Sequence, residues 1–375
     1  MRSNPIRVIC HIFVVISGEE SADNDGSMKY SRLICFIAWT LTSVVSGCSG
    51  LLNSSEPVSL KRAQTHMGTL VTVTAVAPTR EQAQAATTAA FEEIHRLEGL
   101  LSTWLPTSEL SKVNAAAGKG SVKVSSETIY LVRRSMEAAE MTEEAFNIAV
   151  GPALDAWNVT NESRVPSETD LERLKPLVDL RAVHVDSEAG TISLEKPGMR
   201  IDVGGIGKGY AADQAVTAMK KAGALAGAVA LSGDIKTFGR LPGGGKFPVG
   251  IQHPRREGTV LAWIELEDEA ISTAGDYEQY FEKDGTRYHH ILDPLTLLPA
   301  RECQSVSVIA KDGVWADGLD TGIFVMGPER GMNLVERLHD VEAIIVDRSG
   351  RVHISSGLRH RVRLHEEVGK EGGSH

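Results

Sequence analysis

Asp317, Asp320 and Thr321 stand at i, i+3 and i+4 in the run Ala316-Asp-Gly-Leu-Asp-Thr321. On a helix that spacing puts two carboxylates and a hydroxyl on one face. Hard oxygens of this kind suit Mg²⁺, which takes a few protein oxygens together with water and substrate phosphates. Upstream, Asp202-Val-Gly-Gly-Ile-Gly-Lys-Gly-Tyr210 supplies glycines that let backbone approach a diphosphate, and Lys208 supplies a cation to neutralise it. Between them lies His289-His290-Ile-Leu-Asp-Pro294. An imidazole with its ordinary pKa of about 6.5 suits general-base work near neutral pH, and strand alternation lets only one of the two rings face a given cleft. Together these runs are the inventory of a magnesium-dependent site for a phosphorylated cofactor.

Each run also has a plainer reading. An Asp-x-x-Asp pair is often a solvated helix face or a cap, although the apolar neighbours Trp315 and Phe324 argue against that here. A glycine turn can serve packing alone, and a histidine can be a hydrogen-bonded structural residue. The turn is not a Walker A loop, because Asp202 stands where that motif needs glycine and Gly209 where it needs Ser or Thr. It also lacks the Gly-x-Gly-x-x-Gly of a dinucleotide fold.

The elements that must position these residues are legible from periodicity. Thr69 to Val76 alternates as a strand, and Arg80 to Leu101 places Ala83, Ala90, Ile94, Leu97 and Leu101 on one helical face. Ser108 is expected to cap a short helix holding Leu110 and Val113, and Ser126 to Met141 reads as another helix. Strands are expected at 182–186, 191–194 and 200–203, then a helix over 209–222 opened by the glycine turn. The second half is richer in strands, at 228–231, 247–251, 260–266 and 305–309. Helices over 313–326 and 329–339 and a hairpin of 343–346 with 352–354 close the chain. The pattern predicts an α+β class: mixed, largely antiparallel sheets flanked by helices, in a single two-lobed catalytic domain over residues 61–357.

Composition narrows the function. The 375 residues, 42% hydrophobic and 23% charged, are ordinary globular material, and the formal net charge of −10 leaves no basic face for nucleic acid. At the N-terminus, Lys29 and Arg32 precede the apolar run Leu33 to Val45, and Val45-Ser-Gly-Cys48 closes it with small residues. This resembles a lipoprotein export signal over 28–47, with Cys48 as the lipidated first mature residue and residues 1–27 as an upstream extension. The alternative, an uncleaved anchor helix, meets an apolar run too short to span a bilayer. Residues 48–60 then read as a polar tether and 358–375 as a mobile tail. Only Cys303 remains in the mature domain, which excludes a disulfide framework and a cysteine zinc site.

The ordered set Met67-Gly-Thr69, Leu101-Ser-Thr-Trp104, Ser108-Glu-Leu-Ser111 with Asn114, Asp202 to Tyr210 with Asp213, Ser232-Gly-Asp234, Ile271-Ser-Thr-Ala-Gly-Asp-Tyr277, His290-Ile-Leu-Asp-Pro294 and Ala316 to Thr321 resembles the ApbE family. These are the FAD:protein FMN transferases, and the resemblance covers nearly all of residues 65 to 350. It implies Mg²⁺-dependent cleavage of FAD at its diphosphate, with FMN joined through a phosphoester to a Thr or Ser of an acceptor protein and AMP released. It also implies residue roles. Met67 and Trp104 would contact the flavin end, Ala145, Phe146 and Asn147 the cofactor, Asp202 and Lys208 further FAD groups, and Leu292 would line the same site. Asp317, Asp320 and Thr321, with the backbone carbonyl of Gly205, would hold the metal, and His290 would be the base. Many members are exported lipoproteins, so a lipid anchor at Cys48 on the periplasmic side of a bacterial membrane is expected, with exported redox-pump domains as acceptors. An FAD diphosphatase and a non-catalytic FAD-binding lipoprotein are the competing readings. The chain departs from the family pattern at Trp104, Asn147, Ser232 and Ala274. Leu297-Leu298 also interrupts the usual Asp-Pro-x-Thr-Gly-x-Pro, which leaves the shape of the turn behind the histidine open.

Overall fold

The computed structural model describes residues 56–365. The expected signal, Cys48 and residues 1–27 lie outside the described residues. The chain opens with the hairpin β1 (Val58–His66) and β2 (Thr69–Ala77), then α1 (Arg80–Leu101), α2 (Glu109–Ala115), β3 (Val122–Lys123) and α3 (Ser126–Met141). Two short helices, α4 (Gly151–Trp157) and α5 (Glu168–Leu174), and the hairpin β4 (Val183–Asp186) and β5 (Thr191–Leu194) lead to α6 (Gly207–Lys221). Strands β6 (Ala226–Leu231), β7 (Asp234–Phe238), β8 (Phe247–Gln252), β9 (Val260–Leu266), β10 (Ala270–Gly275), β11 (Tyr280–Lys283), β12 (Thr286–His289) and β13 (Cys303–Ala310) follow. The end is α7 (Gly313–Met326), α8 (Pro328–Val335), β14 (Val341–Asp347), β15 (Val352–Ile354) and β16 (Arg363–Leu364).

One eight-stranded sheet, ordered β1-β2-β6-β7-β10-β13-β14-β15, runs through both halves of the molecule. Its neighbours pair antiparallel throughout. The helices explain why its central strands are apolar on both faces. Val306, Val308, Ala343 and Ile345 pack against α7 and α8, while their neighbours Ile309, Ile344 and Val346 turn to the other face and meet β8 and β9 through Val249, Ile251 and Ile264. Alternation along each strand thus feeds two cores, and a strand buried on both sides loses the polar half of its pattern. Helix α1 is seated by Thr79, whose side chain accepts from the Gln82 N–H, and buries Ala83, Ala86, Ala90, Ile94, Leu97 and Leu101. Complete burial of Ile94 and Leu97 contributes about 1.5–3 kcal/mol each.

The structure is the expected mixed α+β arrangement, with several local differences. Residues 200–203 form no strand. Their backbone is held instead by Asn114, whose Oδ1 accepts from Ile201 N and whose Nδ2 donates to Ile201 O, both at 2.9 Å, and by Asp202 N donating to Ile148 O at 2.8 Å. Helix α8 stops at Val335, short of the expected His339, because Arg337 N and Leu338 N bond three residues back and tighten the last turn. The domain is also longer at both ends than 61–357. Val58 to Leu60, assigned to the tether, pair in β1 with Ala77 to Ala75, and Arg363 and Leu364, assigned to the mobile tail, pair in β16 with Trp263 and Ala262. Leu358 is fully buried, which anchors that terminal segment.

Candidate active site

Two glycines let α6 and α7 cross at backbone contact. A Cβ on Gly209 would lie 2.1 Å from the carbonyl oxygen of Gly313, and one on Gly313 would lie 2.5 Å from that of Gly209. The start of α7 has no cap of its own; Asp213 of α6 supplies one, accepting from Gly313 N at 2.8 Å and Val314 N at 3.0 Å. This close crossing delivers Asp317 to the glycine turn, where its Oδ2 accepts from Gly209 N at 2.8 Å.

Asp317 and Asp320 meet a third carboxylate there, Asp234 at the start of β7. Their ligand oxygens all lie within 4.8 Å of one another, and each residue is 2% exposed. One cation, Lys208, is paired with Asp234. Three buried carboxylates facing one ammonium leave a deficit that a divalent cation cancels. Protons cancel it in the absence of one: burial first, then the neighbouring Asp234, pushes Asp317 up to about 7 against the pull of Lys208 and the Gly209 N–H. Burial, with Asp317 and Asp234, pushes Asp320 well above the carboxylate range. Burial alone would lower the Lys208 ammonium, but Asp234, Asp317 and Asp320 outweigh it and raise it. The Ser272 hydroxyl sits 2.6 Å from Asp320 Oδ2 and also against Asp234. A hydroxyl has one proton to donate, so a carboxyl proton or a cation must settle the second contact.

This charge pattern predicts how stability responds to pH. The folded pKa values of Asp317 and Asp320 are raised, so their contribution is fully present below the unfolded carboxylate pKa of about 4 and is lost as pH rises through about 7. The metal-free protein should therefore melt at progressively lower temperature between about pH 5 and about pH 8, and saturating Mg²⁺ should flatten that slope. Calorimetric melting with chelator and with Mg²⁺ checks this; equal slopes would remove the acidic cluster as the titrating unit.

The other expected metal-binding groups are adjacent. Thr321 Oγ1 lies 3.0 Å from Asp320 Oδ1, and a Cβ on Gly205 would lie 3.1 Å from that hydroxyl and 3.2 Å from the Phe146 ring. A side chain here would press on Thr321 and Phe146, so glycine lets this backbone sit close to Thr321 without displacing them. A buried, hydroxyl- and carboxylate-rich set fits Mg²⁺. Asp234 and Ser272 complete it and were not among the sequence-derived ligands. Their signal was present in Ser232-Gly-Asp234 and Ile271-Ser-Thr, but neither run has ligand spacing by itself.

Asp202 adjoins this centre through the same turn, accepting from Gly204 N at 2.8 Å and from the Thr103 hydroxyl at 2.9 Å. The bond to Thr103 ties in the loop that carries Trp104, whose indole is 77% exposed. Phe146 and Asn147 are buried and Ala145 half-buried; Asn147 turns its Oδ1 onto Ala149 N at 2.8 Å. Met67 sits at positive φ in the β1–β2 turn, its N–H held by Glu98 at 2.8 Å. Leu292 is buried with Trp157, Leu171 and Leu297 in a separate small core behind the histidine loop.

The two histidines are separated by their hydrogen bonds. His289 Nε2 donates to the Ala300 carbonyl at 2.7 Å, while its Nδ1 accepts from Ile291 N at 3.3 Å, so both ring nitrogens are engaged. His290 is half-buried and meets the Gln279 carbonyl through Nδ1 at 3.3 Å. A carbonyl can only accept, so Nδ1 carries the proton and Nε2 keeps its lone pair. Burial, then His289 and the charge of Lys208, lowers His290 to about 4. The ring is therefore neutral at physiological pH and lies within the field of the Lys208 ammonium.

The departures from the family pattern have local solutions. Leu297, fully buried, adopts φ 62, a conformation glycine takes without cost. The turn closes through Leu297 N to Asp293 O at 2.7 Å and Asp293 N to Leu298 O at 2.9 Å, and the Trp157 indole N–H donates to Leu297 O at 2.7 Å. Ser232 likewise takes φ 58 in the two-residue turn that sets Asp234 at the head of β7.

Comparison with known proteins identifies the family. Residues 67–345 match the family model described as the ApbE family. The chain is 32% identical to a protein of Treponema pallidum named FAD:protein FMN transferase, over 85% of this chain and 92% of that one. It is 31% identical to one of that name from Klebsiella pneumoniae, over 72% and 85%. Among solved structures, the ApbE protein of Thermotoga maritima superposes with a TM-score of 0.75 at 32% identity, covering 80% of this chain and 98% of that one. The flavin transferase ApbE of Vibrio cholerae gives 0.73 at 26%, covering 81% and 99%. With the family model spanning most of the chain and a relative 32% identical over most of both chains, the chain belongs to the ApbE family.

Proposed function

We propose that this protein transfers FMN from FAD to a Thr or Ser hydroxyl of an acceptor protein, with AMP as leaving group and Mg²⁺ as the required ion. The observation that carries this reading is the buried Asp234-Asp317-Asp320 cluster with Lys208, whose charge is felt by His290, a histidine with its Nε2 lone pair available. Asp317, Asp320, Thr321 and the Gly205 carbonyl, with Asp234 beside them, would hold Mg²⁺, which when bound offsets negative charge on the diphosphate. His290 Nε2 takes the proton of the acceptor hydroxyl as its oxygen bonds to the flavin-side phosphorus. The bridging P–O bond breaks and its electron pair leaves with AMP, where Lys208 stabilises the developing charge. Trp104 and Met67 offer apolar surface to the isoalloxazine, and an exposed indole can stack on it. Asp202, Ala145, Phe146 and Asn147 would shape the rest of the FAD site, with Leu292 backing the histidine loop from its own small core.

Incubation with FAD, Mg²⁺ and a Thr-containing acceptor peptide should yield peptide-bound FMN and AMP in equal amounts. Free FMN and AMP with an unmodified peptide would identify a diphosphatase, and uncleaved bound FAD would identify a storage protein.

The N-terminal sequence pattern supports export with a lipid anchor at Cys48, which would put this chemistry outside the cytoplasmic membrane and make exported redox domains the acceptors. Among the described residues no helix is long and apolar enough to cross a membrane. Cys48→Ala should accumulate as unprocessed precursor in membrane fractions. Recovery of the unaltered protein in the cytosol with residues 28–47 intact would overturn the assignment.

A further inference from the structure

A second group of metal-type ligands lies outside the acidic centre. His95 and Glu98 stand at i, i+3 near the end of α1 and meet His66, the last residue of β1. One ligand atom from each lies within 4.8 Å of the others. The surroundings orient two of the three. His66 Nε2 is 3.0 Å from Gln64 Oε1, an acceptor, so Nε2 carries the proton and the Nδ1 lone pair faces Glu98 Oε2 at 3.9 Å. Glu98 Oε1 is occupied by Met67 N at 2.8 Å, which turns Oε2 toward the histidines. The His66 ring is steadied by stacking on Phe91, with centroids 5.9 Å apart, and the exposed His95 ring lies against it at the same centroid distance, tilted by 58°. A histidine whose far nitrogen is hydrogen-bonded, beside a carboxylate whose far oxygen is hydrogen-bonded, is how protein metal ligands are held ready.

We infer that His66, His95 and Glu98 form a binding site for a late divalent transition metal, Zn²⁺ above all, with a fourth position left to water. Two imidazoles and one carboxylate suit zinc, whereas Mg²⁺ prefers oxygen and sheds water reluctantly. The site is therefore chemically distinct from the three-carboxylate cluster and independent of the flavin-transfer reading. Its effect would be local: metal here ties the β1–β2 turn, and with it Met67, to α1.

The test is titration of the full-length protein with zinc chloride in excess Mg²⁺, followed by calorimetry and by melting temperature. Wild type and Asp317→Asn should each bind one Zn²⁺ tightly at this site and melt higher with it. His95→Ala, which removes an exposed side chain, should melt like wild type in chelator yet bind that Zn²⁺ at least about 10–100-fold more weakly and gain no thermal shift. His66→Ala should lose that Zn²⁺ likewise, though with a lower melting temperature in chelator because its ring packs on Phe91, and Gln64→Ala should weaken binding while leaving all three ligands in place. Zinc binding lost in Asp317→Asn and retained in His95→Ala would place the ion at the acidic centre and overturn the inference. So would a wild-type protein that takes up no more zinc than the His95→Ala variant.

Discussion

Asp317→Ala is expected to lower Mg²⁺-dependent FMN transfer by at least about 10²–10³-fold, the loss that follows removal of one preorganised charge-stabilising group, and to leave FAD binding largely intact. The reason is that Asp317 serves two partners at once. Its carboxylate is one of three that create the demand for a divalent cation, and its Oδ2 fixes Gly209 N at the start of α6. Alanine removes both, whereas Asp317→Asn keeps an acceptor for Gly209 and removes the charge alone. If the metal is what matters, both variants should fail equally in transfer, and only alanine should also lose thermal stability. With Asp317 gone, two acids face Lys208, the charge deficit falls from two to one, and Mg²⁺ should raise the melting temperature less than in wild type. Flavin fluorescence quenching reports binding, and covalent flavin on the acceptor peptide reports transfer. Full activity of Asp317→Ala in chelator would refute the assignment.

How far the site could be read in advance depended on the sequence separation of its parts. Asp317, Asp320 and Thr321 were legible because helix periodicity alone gathers them, and α7 runs from Gly313 to Met326 as its apolar pattern implied. The α1 and α3 boundaries were legible for the same reason, each having a side-chain cap and a continuous buried face. Asp234 and Ser272 were not. They reach the cluster only through the pairing of β7 with β10, where Ala270 and Ile271 face Lys236 and Ile235, and in β10, Ala-Ile-Ser-Thr-Ala-Gly, Ile271 and Thr273 alone carry strand preference, too few to mark a strand by pattern. Strand β1 was hidden differently: as an edge strand it is half-buried or exposed throughout and shows no buried face, so its first residues, Val58 to Leu60, fell within the expected tether. The glycines of the Asp202–Tyr210 turn are open in sequence to either a diphosphate or packing, and at Gly209 the structure shows packing: its missing side chain is what lets α7 approach.

His290→Asn should lower FMN transfer by about 10²–10⁴-fold, the usual contribution of a positioned base, whereas His289→Asn should mainly lower stability. The two rings differ in what they have left to offer. His289 spends one nitrogen on the Ala300 carbonyl and the other on Ile291 N, and burial lowers its proton affinity further. Its replacement strands a buried carbonyl, a loss of about 1–3 kcal/mol that melting reports. His290 spends only Nδ1, on Gln279, and keeps Nε2 available. Because its pKa is lowered to about 4, the base is already neutral at pH 7, and rate should fall only as acid protonates it near pH 4. In the pH profile of kcat/KM, that acidic limb should be present in His289→Asn and absent in His290→Asn, measured above the pH at which the fold itself is lost. Both variants should still quench FAD fluorescence. Equal losses of transfer in the two, or a His290→Asn variant that loses FAD affinity and nothing else, would assign the histidine to binding and leave proton removal to the metal centre.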